Sequence, residues 1–241
     1  MTTATGILTP NRATREQPIR DAATVIVLDR NTPDGPSVLM GQRGASAAFM
    51  PSKYVFPGGA VDAADADVQF AAELQQQTAA LLAAKPREDV QVSPRALAAA
   101  ALRELAEETG LMIGPPGPAP SGWSHYADAG LAPDPSTLIY MFRAITPPGR
   151  PRRFDARFLL LDAERLHGNR HDFSGACDEL SHLHWVPLTE ARALDLPFIT
   201  EVVLAEVASL LSSAGTGPLG PPQSVPFFDN RAATPRFMRI A

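Results

Sequence analysis

SPRALAAAALRELAEETGL, residues 93–111, is the stretch on which the fold turns. Ser93 stands where a helix N-cap belongs. Pro94 suits the first helical position, where its missing N–H would have no partner in any case. Gly110 is the expected stop, because glycine takes the left-handed conformation that closes many helices. At about 100° per residue, Leu97, Leu102 and Leu105 form one apolar stripe, and Glu104, Glu107 and Glu108 share the edge beside it. Arg103 lies one turn before Glu107.

Left to itself, that edge is unfavourable. Like charges one turn apart cost roughly 0.2–0.5 kcal/mol. Acids in the last turn also face the negative end of the helix dipole, at roughly 0.3–1 kcal/mol each. A bound Mg²⁺ or Mn²⁺ reverses the sign of each cost, since hard divalent cations take carboxylate oxygens and bridge to phosphates. An isolated acidic helix end is more often simply solvated, so its surroundings decide.

Upstream, AATVIVLD over residues 22–29 and SVLMGQR over 37–43 flank the turn NTPDGP and predict a β-hairpin. Residues 53–56 predict a strand ending in a tight loop at Pro57-Gly58-Gly59. An Ala-, Leu- and Gln-rich run predicts a helix over 68–84, and residues 114–136 a loop. Strands follow at 137–145, 153–161 and 181–186, and a helix at about 199–212. One domain over 21–213 is expected, between a loosely held arm over 1–20 and an irregular, Pro-rich tail over 214–241.

The chain has 241 residues, 45% of them hydrophobic and 20% charged, which fits an ordinary globular protein. A net charge of -5 offers no basic footprint for duplex nucleic acid. The lone Cys177 cannot make an internal disulfide, no leader pattern opens the chain, and no apolar run approaches the roughly 20 residues of a membrane span. A cytoplasmic protein without a membrane partner is expected.

The segment 103–111 resembles the second half of the Nudix box, G-x5-E-x7-R-E-U-x-E-E-x-G-U with U apolar. Arg103, Glu104, Leu105, Ala106, Glu107, Glu108, Thr109, Gly110 and Leu111 match it without a departure. Phe56-Pro57-Gly58-Gly59 matches its start. The middle departs: five residues past Gly59 stands Asp65, not Glu, and Asp65 to Arg103 is 38 positions where the pattern leaves eight. The box therefore spans 58–111 with an insertion at about 66–95, as in proteins resembling peroxisomal coenzyme A diphosphatases. Asp62 and Asp65 are both candidates for the first acid.

The resemblance implies an α/β fold, an α/β/α sandwich around a mixed sheet, and a hydrolase that uses Mg²⁺ or Mn²⁺ to cleave a small nucleoside diphosphate-X substrate. It implies Glu104 and Glu108 as metal ligands, Glu107 as a third ligand or an orienter, and Gly59 as a carbonyl donor. Arg103 would hold Glu107 or reach phosphate. A general base outside the box is expected, and Glu179, just ahead of a predicted strand, is the candidate; a solvated loop acid is the alternative. For substrate, Arg43 at a strand end and Arg153 in the basic run RRFDARF suit phosphate, although such arginines are often merely solvated. Phe49 and Tyr54 flank the glycines and could stack a base, although such aromatics are more often core. Against the diphosphatase motif L-L-T-x-R-S, Leu39-Met40-Gly41-Gln42-Arg43-Gly44 matches at the arginine, and the later arginine of those proteins is missing where Ala47-Ala48-Phe49 stands, which leaves coenzyme A a candidate substrate.

Other signals are weaker. His167 and His171 are spaced for a helical zinc site, but Gly168 and Asn169 oppose a helix. Cys177 sits among acids, which disfavour its thiolate. A nucleotide-sensing module that binds without cleaving is the alternative function, and the intact Glu104, Glu107 and Glu108 set argues against it. A prenyl diphosphate isomerase would need a cysteine in the pocket. A homodimer stays open, since no helix shows an unambiguous dimer face.

Overall fold

The structure is a computed structural model and describes residues 17–45, 47, 49–88, 92–232 and 234–241. Most of the expected N-terminal arm lies outside the described residues. Strand β1 runs Ile19–Asp29, beginning earlier than residue 22, and β2 runs Ser37–Arg43. Then come β3 (Tyr54–Val55), β4 (Gly58–Ala60) and a 3-10 turn (Ala63–Asp67). Helices α1 (Gln76–Ala83), α2 (Pro94–Thr109) and α3 (Ser124–Ala129) follow. The rest is β5 (Ile139–Ile145), β6 (Arg153–Asp162), β7 (Leu180–Pro187), α4 (Phe198–Ala214), β8 (Val225–Asp229) and β9 (Arg236–Ile240).

These strands make one mixed sheet, with β1 parallel to β6, β8 parallel to β5, and the other pairings antiparallel. Alternation along β1 divides the core. Ala23, Val25 and Val27 face a cluster with α1 and α2, while Ile26 and Leu28 face one with Val203, Leu204 and Val207 of α4. That is the α/β/α sandwich in mixed-sheet form. Among the described residues no helix is long and apolar enough to cross a membrane.

The hairpin is short. β1 meets β2 at Leu28↔Val38 and Asp29↔Ser37. Further along, β1 pairs with β4 and β2 with β3, so the sheet divides into two lips. The chain crosses between them at Phe56-Pro57, where Val25 N–H donates to Pro57 O at 2.8 Å. The glycines expected in a loop are therefore a strand, with Thr24↔Gly58, Ala23↔Gly59 and Ala22↔Ala60 in register.

Three expectations need correction. Only Gln76–Ala83 of the predicted 68–84 helix is helical. The segment before it runs across α2, burying Val68 and Leu74, and Arg95 of α2 holds it through Val68 O at 3.0 Å and the Glu73 carboxylate. The loop over 114–136 contains α3, ordered because Tyr126 is fully buried and its hydroxyl donates to Ile113 O at 3.2 Å. The tail beyond 214 is irregular only in part: β8 and β9 extend the sheet past β5, with Val225, Phe227 and Ile240 buried in the α2-side core.

Candidate active site

Helix α2 forms as its caps dictate. Ser93 Oγ accepts from Ala96 N–H at 3.0 Å, and Gly110 closes the helix at φ 74° with its N–H on Ala106 O. The run Ala98–Ala101 is wholly buried, because the sheet covers one side of the helix and the segment holding Val68, Leu74 and α1 packs against it as well. Small side chains allow that close approach, and the last turns are carried against β4.

The acids meet the glycines there. Glu108 is 2% exposed and its Oε2 accepts from Gly58 N–H at 2.7 Å, while its Oε1 is buried with no hydrogen-bond partner. Glu104 lies against Gly59 so closely that a Cβ there would stand 2.3 Å from Glu104 Oε1. Arg103 grips Asp65 with both ends of its fork, Nε to Oδ1 at 3.0 Å and Nη2 to Oδ2 at 2.9 Å. It also donates to Glu104 Oε1 at 2.8 Å and to Ala60 O at 3.0 Å. Its contact with Glu107 is longer, 3.6 Å, and Glu107 is about half exposed.

Burial decides the electrostatics. It pushes the Glu108 carboxyl up to about 8; the Gly58 N–H pulls the other way, and the charges of Glu104 and Glu179 push further up. Burial also raises Glu104, against the opposing pull of Arg103. Arg103, set among Asp65, Glu104 and Glu107, is held firmly as a cation. Among the described residues, no three acids, histidines or cysteines stand in an arrangement already closed around a metal ion. Glu104 turns to Arg103 and Glu107 to solvent.

The NUDIX domain family matches residues 18–207, most of the chain. The chain belongs to the Nudix hydrolase family. A Nudix hydrolase structure from Alicyclobacillus acidocaldarius is 30% identical, covers 85% of this chain and 99% of its own, and superposes with a TM-score of 0.54. The Caenorhabditis elegans protein assigned as nudix hydrolase 7 is 28% identical over 187 residues, 69% of this chain. This chain spans about half of that relative's length, 51%. The Nudix domain of Shewanella oneidensis NrtR, solved with ADP ribose, is 15% identical over 85% of this chain, with a TM-score of 0.44.

Around the Nudix box, the other candidate residues divide. Arg43 closes β2 on the lip opposite β4, and its Nη2 donates to Glu179 Oε1 at 3.0 Å. The charges of both reach Glu108, so these two do join the acids. Tyr54 does not: it packs on the α4 side of the sheet, edge-on to His184 at 5.8 Å. Phe49 stands edge-on to Phe154 at 5.3 Å. Arg153 is buried, with Nε on Thr146 O at 3.0 Å and Nη2 near Asn230 O at 3.4 Å. Its neighbour Arg157 is buried too, so the basic strand edge expected there is an internal ion-pair cluster.

Two features of the Nudix site were not legible in the chain. The choice between Asp62 and Asp65 is one: Asp62 is largely exposed and 3.9 Å from Arg103, whereas Asp65 is buried in its fork. Asp65 also accepts from the Asp62 N–H at 2.8 Å, so the 3-10 turn fixes its position. The other is the Gly58 N–H, which holds Glu108; the box pattern pointed only to Gly59.

Proposed function

We propose that this Nudix chain is a divalent-metal-dependent hydrolase that cleaves the diphosphate linkage of a nucleoside diphosphate-X compound, with coenzyme A or an acyl-coenzyme A among its candidate substrates. One observation carries the reading: Glu108 is buried with an unpartnered oxygen and a strongly raised pKa, beside a second raised acid, Glu104. Buried acids without enough counter-charge suit a hard cation. Glu104 and Glu108 would hold Mg²⁺ or Mn²⁺, with Glu107 and the Gly59 carbonyl completing the set. Bound there, the metal would neutralise diphosphate charge and acidify a water.

The chain's own residues supply the rest. Asp65 takes the place of the first box acid, and its grip on Arg103 aims Glu104. Glu179 receives the proton of the attacking water as its oxygen bonds to phosphorus and the bridging P–O bond breaks toward the leaving group. Arg43 receives a phosphate oxygen. Positioning and electrostatics of this kind carry most of phosphoryl chemistry. Support for a coenzyme A substrate is the single motif arginine, Arg43, whose charge reaches Glu108.

The test is turnover of coenzyme A, acetyl-coenzyme A, ADP-ribose, NADH and a diadenosine polyphosphate with Mg²⁺, with Mn²⁺ and with chelator, beside Glu108→Gln. Metal-dependent cleavage of at least one compound, lost at least a hundredfold in a folded variant, is expected on the scale of a removed electrostatic group. Tight binding without turnover of any compound would replace this reading with a sensing module.

A further inference from the structure

The groups assigned to phosphate capture and to proton removal are paired with each other. Arg43 and Leu180 are register partners across β2 and β7, which sets Glu179, one residue earlier, against the guanidinium. Arg43 is mostly buried at 18% side-chain exposure, Glu179 is open at 53%, and Arg43 Nε is buried with no partner. While the pair stands, the charge of Arg43 is partly spent on a carboxylate, and Glu179 Oε1 is covered by an N–H, which weakens it as a proton acceptor. Each group is thereby held back from its assigned role.

A diphosphate is the stronger claimant. It carries more charge than a carboxylate and offers oxygens to the whole arginine fork, including the unpartnered Nε. We propose that the Arg43–Glu179 ion pair is a latch opened by substrate: the diphosphate draws Arg43 away and releases Glu179 toward water only once the site is filled. Arg43 is then a positioning residue for the base as well as a phosphate ligand. The inference rests on the hydrolase reading, but its consequence is visible in binding alone.

The experiment titrates methylenediphosphonate, whose bridging carbon prevents hydrolysis, by calorimetry with Mg²⁺ into the wild type, Glu179→Gln, Arg43→Ala and the double variant. Opening the latch in advance should tighten binding in Glu179→Gln about fivefold, the scale of a part-exposed ion pair competing with ligand. Arg43→Ala should weaken binding, and Glu179→Gln should then add nothing. Should alanine unfold the strand end, Arg43→Gln takes its place in the cycle. An equal gain in both backgrounds would mean simple charge repulsion and overturn the latch. So would no gain in the wild type, or no binding to any of the proteins. Failure of the hydrolase reading shows separately, as a wild type that turns over no compound of the panel.

Discussion

Glu108 is the carboxyl whose burial most shapes the pH dependence expected of the chain. Unfolded, it ionises near 4.5; folded, burial holds it neutral to about 8. Between those values the unfolded state binds fewer protons than the folded one, so stability falls as pH rises and levels off above about 8. The slope from this group is at most about 1.4 kcal/mol per pH unit, and Glu104 adds to it with the same sign. With chelator present, the thermal midpoint should drop steadily from pH 5 to pH 8. Glu108→Gln should flatten much of that slope, and saturating Mg²⁺ should restore the midpoint at pH 8. Calorimetric scans across pH check this, and a midpoint that climbs over the same range would refute it. The identity of this acid was legible in the sequence because its neighbours in the box are adjacent in the chain. Its burial was not, because that comes from β4 and the Gly58 N–H.

At the scale of elements, the segment between the 3-10 turn and α2 braces the sheet. Val68, Leu74, Leu81 and Leu82 pack against α2, and Arg87 reaches the sheet, where its Nη2 donates to Asp21 Oδ2 at 2.8 Å. There Arg87 joins a buried cluster in which Asp155 takes both ends of Arg143, at 2.8 and 2.7 Å, and lies 3.3 Å from Arg157. Asp155 is fully buried and ties β6 to β5 and to the segment after α1, with Arg143 also donating to Lys85 O at 2.8 Å. Removing one member of such a cluster leaves uncompensated buried charge. Asp155→Ala should cost about 3–5 kcal/mol, read by urea denaturation. A loss below about 1 kcal/mol would mean that water or a shifted side chain takes over the arginines. Sequence patterning misses this cluster because Arg143, Asp155 and Arg157 each stand between apolar strand residues, and most of their partners lie on other elements.

Across the whole molecule, the two strands past Ala214, β8 and β9, belong to the sheet. Strand β8 lies parallel to β5 at Arg143↔Phe227 and Ala144↔Phe228, and the Phe227 ring lies under the Arg143 guanidinium at 4.4 Å. A chain ending at Ala214 would uncover the edge of β5 and the buried Val225, Phe227 and Ile240 sites. Exposed apolar edges template aggregation. The truncated chain should accumulate as aggregate, or melt several degrees below the full chain, by size exclusion and calorimetry. An unchanged midpoint in a monodisperse truncated chain would make these strands an ornament.

Much of the architecture lies in local pattern. The caps and stripe of α2, the acids in its last turns, the periods of β1, β5, β6 and β7 and the helix near 199–212 depend on residues close in sequence, and a single chain displays them. What tertiary structure alone decided is pairing at a distance. It placed the Asp65 carboxylate inside the fork of Arg103 and left that of Asp62 largely in water. It set Tyr54 on the α4 side, took Arg153 and Arg157 into the interior, and drew a Pro-rich tail into the sheet. In each case the deciding energy is the burial of a group against partners tens of residues away, and no local period records it.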